Sequence, residues 1–139
     1  MDAIIETRTT TAAPQVKGGV VAYLQVDGAM QAAEFYQRAF GAQTVFALPP
    51  DAHGRTMHVH LYINGSSIML GDGCAGRQPE PPQGFTLLLP VDDIDAAWQR
   101  AVDAGAEVVM PVADMFWGDR YGQLRDPYGV LWGMNQPKG

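Results

Sequence analysis

The sequence predicts an α+β fold of two tandem βαβββ modules, whose mixed sheets curl around a shared cleft with one helix outside each sheet. Each half reads as a strand, an amphipathic helix and three further strands, and the two halves repeat at an offset of 64 or 65 residues. One helix covers one face of each four-stranded sheet, so two uncovered faces placed side by side would enclose a cleft. The matching pairs are Val26-Asp27 with Val91-Asp92, Gly41-Ala42 with Gly105-Ala106, and Asn64-Gly65 with Tyr128-Gly129.

The first half begins with "GGVVAYLQV", whose β-branched and aromatic residues predict a strand. The alanine-rich "DGAMQAAEFYQRAFGA" predicts a helix that Asp27 caps and Gly41 ends. "QTVFALP" predicts a second strand, which its prolines end. "TMHVHLYI" and "SSIMLG" predict a hairpin, because Asn64-Gly65 between them is a strong turn signal.

The second half repeats this order. "FTLLLPV" predicts a strand, and the acidic start of "DDIDAAWQRAVDAGA" suits the N-terminal dipole of a helix. "EVVMPV" predicts a strand, and "RYGQLRDPYGVLWGM" predicts two more around the Asp126–Gly129 turn. We expect Trp98 to be buried against the second sheet, because it centres the apolar stripe of the helix. The stripe consists of Ile94, Ala97, Trp98, Ala101 and Val102.

These elements predict one domain, which the length of 139 residues also suits. A threonine-rich start indicates a flexible arm, and a segment with three prolines and three glycines indicates a linker loop. The predicted parts are a flexible N-terminal arm (1–18), module 1 (19–71), the linker loop (72–84) and module 2 (85–139).

Composition excludes several functional classes. The net charge is −6 and no cluster of lysine or arginine occurs, so nucleic acid is not an expected partner. No apolar run approaches the ~20 residues of a membrane span. The single cysteine, Cys74, can form neither an intramolecular disulfide nor a cysteine-based zinc site, and a reducing cytoplasm is the simplest setting. We therefore expect a cytoplasmic protein that binds neither nucleic acid nor membrane.

A pair of histidines marks the first half. His58 and His60 lie two residues apart on a predicted strand, so both side chains point to the same face. The more apolar set of Met57, Val59 and Leu61 should face the helix. The other set should then face the cleft: His58, His60 and Tyr62.

Three interpretations of this pair stay open: half of a metal site, the lining of a cleft, or a solvated pair at the surface. Two imidazoles on one face are typical of metal sites, but a third ligand is needed and no acidic residue lies obviously opposite. A His-x-His pair also occurs in cupin metal sites, but cupins are all-β and this chain has two predicted helices.

The stretch "MFWGDRYGQL" is the other concentration of functional side chains. Phe116, Trp117 and Tyr121 offer flat apolar surface, and Arg120 could hold an anionic group through two hydrogen bonds. The alternative is an ion pair between Asp119 and Arg120 on a loop whose aromatic residues fill the sheet edge.

The doubled βαβββ unit, with "AAEFYQRAFGA" after the first strand and "RDPYGVLWGM" near the end, resembles the vicinal oxygen chelate superfamily. That superfamily includes glyoxalase I, extradiol dioxygenases and bleomycin-resistance proteins. The motifs "AYLQVDGAMQAAEFYQRAFGA", "MHVHLYINGSSIML" and "FWGDRYGQLRDPYGVLWGM" are more narrowly similar to the PhnB-like branch. The resemblance covers residues 19–136.

The resemblance implies where a metal would be held. In metal-bearing relatives, His, Gln or Glu ligands come from the first and last strands of each module. Aliphatic side chains and glycine cannot ligate such a metal. The resemblance therefore implies neither a metal nor another cofactor here. The corresponding positions are Val21, Met69, Thr86 (Phe85 if the register slips by one) and Gly133.

Two functions follow as hypotheses. The first is a glyoxalase/bleomycin-resistance-like protein that binds a small organic molecule in a metal-free cleft. The second is a lyase or other enzyme that uses His58 or His60 as an acid–base group, or the pair as an atypical metal site, so whether the protein is an enzyme stays open. We expect a homodimer, because each sheet leaves unpaired edges. The expected ligand-binding residues are His58, His60, Tyr62, Tyr23, Met69, Trp117, Arg120 and Tyr121.

Overall fold

The structure, a computed structural model, describes residues 13–73 and 80–138. Most of the predicted arm, and Cys74 in the predicted linker, lie outside the described residues. The predicted α+β class is confirmed. The elements are β1 (Tyr23–Gln25), α1 (Ala29–Phe40), β2 (Gln43–Ala47), β3 (Val59–Ile63), β4 (Ser66–Gly71), β5 (Leu87–Pro90), α2 (Ile94–Ala104), β6 (Glu107–Asp114), β7 (Arg120–Arg125) and β8 (Leu131–Gln136).

The two halves have the same sheet topology, which confirms the tandem βαβββ modules. The strand order is β1-β4-β3-β2 in the first sheet and β5-β8-β7-β6 in the second. In each sheet the first strand runs parallel to the last, and the other pairs are antiparallel. Both sheets are therefore mixed, as predicted.

The predicted hairpin between β3 and β4 forms at Asn64-Gly65. Both residues have positive φ, 53° and 82°, as the tight turns that match the twist of a hairpin require. Ile63 pairs with Ser66 across this turn, and the ladder continues to Val59 and Leu70. The register of β3 against β4 is therefore determined by a local turn.

The predicted helix cap at Asp27 is wrong. Gly28 is the N-cap residue, and its φ of 103° is left-handed, which favours glycine. The carboxylate of Asp72 accepts the Gly28 and Ala29 amides at 2.7 and 3.1 Å, although it lies at the end of β4. Asp27 forms an ion pair with Arg55 instead.

The second helix begins in a related way. Asp93 caps it by accepting the Ala96 amide at 3.2 Å, within the predicted acidic start. The Gln136 side chain, at the end of β8, accepts the Ile94 amide at 2.8 Å. In both modules, therefore, a side chain at the end of the last strand binds the first amides of the helix.

One hydrophobic core spans both modules. The helices α1 and α2 pack against each other, and apolar residues from both sheets join the same buried cluster. The rings of Tyr36 and Phe40 on α1 lie 5.5 and 4.5 Å from the ring of Trp132 on β8, measured between centroids. The helix-covered faces of the two sheets thus share one core, and the opposite faces lie outside it.

Trp98 contacts the second sheet as predicted, but it is only partly buried. Its ring lies over Gly122 of β7, where an added Cβ would lie 2.7 Å from Cζ3 of the indole. Ile94 and Ala101 are the fully buried members of the predicted stripe. No helix in residues 13–73 and 80–138 has both the length and the apolar character that crossing a membrane requires.

Candidate functional site

The alternation of β3 separates a core face from an open face. Val59, Leu61 and Ile63 are buried in the core, while His60 and Tyr62 point to the opposite side of the sheet. Met57 was expected to join the core set, and that expectation is wrong, because this residue is 63% exposed. It precedes the first residue of the strand, so the alternation does not extend to it.

A pocket of about 200 Å³ lies over this open face. Ligand pockets for drug-sized molecules are typically about 300–1,000 Å³, so this one suits a smaller molecule or part of a larger one. In the part of the chain that the structure describes, module 2 contributes no residue to its lining, and the shared cleft between the two sheets stays a prediction. The lining residues are Ala13, Pro14, Val16, Phe46, His58, His60 and Met69.

Residues 13–17, here named the roof segment, cover one side of the pocket. Lys17 exchanges two hydrogen bonds with Ser67 of β4: its amide donates to Oγ at 2.8 Å, and its carbonyl accepts the Ser67 amide at 2.9 Å. The Tyr62 hydroxyl donates to the Gln15 carbonyl at 2.7 Å. The Lys17 ammonium lies 4.2 Å from the centre of the Tyr62 ring, within the range of a cation–π contact.

Ser67 and the roof segment were not predicted as parts of the site. The register could have indicated Ser67, because it pairs with Tyr62, and Met69 pairs with His60 on the same face. Nothing in the sequence pattern of residues 13–17 indicated that they lie over the histidines.

His60 is the more buried histidine of the pair, with 3% of its surface exposed. Its Nε2 lies 2.7 Å from Oγ of Ser67, the same oxygen that accepts the Lys17 amide. Burial lowers the pKa of His60, and the positive charge that His58 can carry lowers it further. His60 is therefore a neutral imidazole near pH 7, and it links β3, β4 and the roof segment.

His58 is held by aromatic neighbours. Its ring stacks on Tyr23 with 5.7 Å between centroids and 30° between planes, and the Phe46 ring is 5.8 Å away. Its Nδ1 lies 3.2 Å from the Tyr23 hydroxyl oxygen. Tyr23 is half exposed on β1, next to Met69 in the register of the sheet.

The predicted residues of module 2 lie elsewhere. Trp117 and Tyr121 have ring centroids 6.4 Å apart, and the Tyr121 hydroxyl accepts a hydrogen bond from Gln123. Arg120 forms ion pairs with Asp95 at 2.9 Å and Asp114 at 3.4 Å, not with Asp119. The structure thus brings His58, His60, Tyr23, Tyr62 and Met69 together around the pocket, whereas Trp117, Arg120 and Tyr121 form a separate group.

The positions that hold a metal in metal-bearing relatives do not fit one here. Met69 lines the pocket, and at Gly133 the Tyr121 hydroxyl occupies the space of a side chain, since an added Cβ would lie 2.6 Å from it. Val21 and Thr86 carry no imidazole or carboxylate. Among the described residues, no three His, Cys, Asp or Glu side chains come together as a metal site.

Comparison with known proteins identifies the family. Residues 18–134 match the Glyoxalase/Bleomycin resistance protein/Dioxygenase superfamily. The chain belongs to this superfamily. A solved structure of a PhnB protein from Bacillus cereus has the same fold as this chain, with a TM-score of 0.68. The two sequences are 20% identical, and the match covers 86% of this chain and 100% of that protein. The family resemblance inferred from the motifs is thereby confirmed.

Two other relatives share more sequence with this superfamily member. The uncharacterized protein Rv0887c of Mycobacterium tuberculosis is 40% identical over 136 residues, which covers 91% of this chain and 79% of that protein. TnmS3, an antibiotic binding protein from Streptomyces sp. CB03234, is 28% identical in sequence. Its structure superposes with a TM-score of 0.65 over 91% of this chain and 98% of TnmS3.

Proposed function

We propose that this superfamily member binds a small organic molecule, without a metal, in the pocket between the roof segment and the first sheet. The observation that carries the proposal is the mixed lining of this pocket. Apolar side chains from the roof, β2 and β4 surround two imidazoles, and small-molecule sites are typically apolar with a few placed polar groups. TnmS3 supports the proposal, since its name states that it binds an antibiotic.

The residues have distinct roles in this proposal. Val16, Phe46 and Met69 provide apolar contact, and His58 provides the polar contact. His60 and Tyr62 hold the roof segment through Ser67 and Gln15, so their effect on a ligand is indirect.

The remaining candidates need a second protomer. Trp117 and Tyr121 do not line the pocket, so they would contact a ligand only from a partner protomer of the expected homodimer. Arg120 is engaged by two carboxylates, and we propose no ligand contact for it.

The test is a pocket-filling variant. Met69→Trp should abolish binding of small aromatic compounds, because the added indole occupies the pocket. Binding is followed by chemical-shift changes of the Met69 methyl group in the wild type and of the His58 ring protons in all variants. Val108→Trp is the matched control, since Val108 is 45% exposed on the second module. If Met69→Trp bound the compounds as well as Val108→Trp does, the ligand site would lie elsewhere.

Acid–base catalysis is the second candidate function, because His58 and His60 line the same pocket. An enzyme would consume a bound compound, whereas a binding protein would return it unchanged. Mass spectrometry of compounds after long incubation separates the two, and His58→Ala should stop turnover if catalysis occurs. A metal analysis of protein purified without chelator tests the remaining alternative, since a stoichiometric metal would contradict the metal-free proposal.

A further inference from the structure

The two nitrogens of the His58 ring have different surroundings. Nδ1 is turned toward the Tyr23 hydroxyl oxygen, 3.2 Å away. The ring lines the pocket, and among the described residues no hydrogen bond engages Nε2, which leaves this nitrogen for a ligand. The chemistry that the pocket offers therefore depends on which of the two nitrogens carries the proton.

The hydrogen bonds of Tyr23 determine which ring nitrogen of His58 carries the proton. The Tyr23 hydroxyl oxygen lies 2.5 Å from the Met57 carbonyl oxygen. A carbonyl can only accept, so the single hydroxyl hydrogen of Tyr23 must lie in this short contact. The hydrogen bond between Tyr23 and His58 must then receive its hydrogen from Nδ1. A neutral His58 is consequently the Nδ1–H tautomer, with a lone pair on Nε2.

A glycine on the neighbouring strand allows the Met57 carbonyl to lie this close to the Tyr23 hydroxyl. Gly71 of β4 lies directly beneath the Met57 carbonyl, and an added Cβ would collide with that carbonyl oxygen. The same Cβ would come within 3.3 Å of the Tyr23 hydroxyl. Glycine at this position thus lets the carbonyl approach closely enough to accept the Tyr23 hydrogen.

The rest of the pocket offers little to an anion. Among the described residues, neither a lysine nor an arginine lines the pocket, and the Lys17 ammonium lies over the Tyr62 ring. His60 cannot replace His58 through its own Nε2, because Ser67 engages that atom. The lone pair on Nε2 of His58 is therefore the polar group that we assign to ligand recognition.

We propose that Tyr23 and the Met57 carbonyl hold His58 as the Nδ1–H tautomer, so that the pocket selects ligands with a weakly acidic hydrogen-bond donor, such as a phenol or the N–H of a heterocycle. Tyr23 is a positioning residue, since it acts through the imidazole. This inference rests on the proposed binding function for its ligand, but the tautomer is a property of the free protein.

The first test measures the tautomer without ligand. Nitrogen-15 NMR of the histidine rings is recorded near pH 8, where an ordinary imidazole with a pKa of about 6.5 is neutral. His58 should carry its proton on Nδ1 in the wild type. Tyr23→Phe should move it toward the Nε2–H form, which free histidine prefers. Tyr128→Phe, a change in the second module, should leave it on Nδ1. A wild-type His58 with its proton on Nε2 would overturn the inference.

The second test compares 4-methylphenol with 4-methylanisole, which has a similar shape but lacks the donor. A neutral hydrogen bond typically contributes about 0.5–1.5 kcal/mol, so the phenol should bind roughly two- to thirteenfold more tightly near pH 8. Tyr23→Phe should bring the ratio close to one, and Tyr128→Phe should preserve it. Equal binding of the two compounds to the wild type contradicts this inference alone. If the wild type binds neither compound, the result contradicts the proposed function, and the inferred ligand preference fails with it.

Discussion

At the level of single residues, His60 combines burial with one short hydrogen bond. It is 3% exposed, and Nε2 lies 2.7 Å from the Ser67 hydroxyl. Removing water from an imidazole disfavours its charged form, which is the main cause of the lowered pKa of His60. The residue therefore connects the protonation of the pocket to the stability of the fold.

We predict that His60 makes the protein less stable in mild acid. Its pKa is lowered from 6.5 in the folded state, so the unfolded chain binds more protons just below that value. The stabilisation is complete above about pH 6.5 and is lost as the pH falls toward the lowered pKa. Urea unfolding at several pH values between about 5 and 8 should show this slope in the wild type and a smaller slope in His60→Gln.

His53→Gln is the matched control for this prediction, because His53 is exposed in the loop before β3. It should retain the slope of the wild type. An unchanged slope in His60→Gln would mean that other groups account for the acid sensitivity.

At the level of elements, the contact between α2 and β7 depends on a missing side chain. The Trp98 ring lies where a Cβ of Gly122 would be, 2.7 Å from Cζ3. The Met110 carbonyl lies 3.1 Å from the same point, so the space beneath the indole is closed on two sides. Helix and sheet approach each other here because residue 122 is a glycine.

We predict that Gly122→Ala lowers the free energy of unfolding by about 1–3 kcal/mol, the usual cost of overpacking. Truncating a fully buried tryptophan to alanine costs about 3–5 kcal/mol, and Trp98→Ala should cost less because Trp98 is only partly buried. Because the two residues touch, Gly122→Ala should cost much less in the Trp98→Ala background, which a double-mutant cycle measures. Gly19→Ala is the control, since an added Cβ there meets no atom within 4 Å. Additive effects would show that the indole does not depend on the glycine.

At the level of the whole molecule, one carboxyl group joins the modules. Asp126, in the turn between β7 and β8, accepts hydrogen bonds from the Tyr36 hydroxyl at 2.5 Å and the Trp132 indole at 2.8 Å. It also accepts two amides of its own turn. Burial, and after it the charge of Asp126, raise the pKa of Tyr36 well above its usual value. Tyr36 therefore keeps its hydroxyl hydrogen near neutral pH, and this hydrogen bond connects α1 to the second sheet.

We predict that Tyr36→Phe costs about 1–3 kcal/mol, because a buried acceptor loses one of its donors while the ring stays in place. Tyr128→Phe is a matched control. Within the described part of the chain, its hydroxyl takes part in no hydrogen bond, and its loss should cost less than about 0.5 kcal/mol. Equal losses of stability in chemical denaturation would show that the hydroxyl of Tyr36 does not join the modules.

The assembly is a second prediction at this scale. We expect a homodimer, because each sheet has unpaired edges and apolar side chains on its open face, including Tyr23 and Leu88, which are about half exposed. Sedimentation velocity at tens of micromolar should show a species of twice the chain mass. A single species at 15.0 kDa would contradict this prediction.

The sequence by itself determined the features that short stretches encode. The repeat gave two modules of the same topology, the Asn64-Gly65 turn set the hairpin register, and the alternation of β3 placed His60 and Tyr62 on the face opposite the core. Turns, the glycines that end the helices, and periodicity depend on neighbours a few residues away, so they can be predicted without the fold.

Only the tertiary structure decided which distant groups meet. The Asp72 cap lies 44 residues from the amide it accepts, and the Lys17–Ser67 pair that holds the roof segment spans 50 residues. Asp27 looked like a cap, and Asp119 looked like the partner of Arg120, because each was the nearest candidate along the chain. In the fold, Asp72 and Asp95 take these places, because the packing of strands and helices brings their carboxylates closer to the donors than any sequence neighbour.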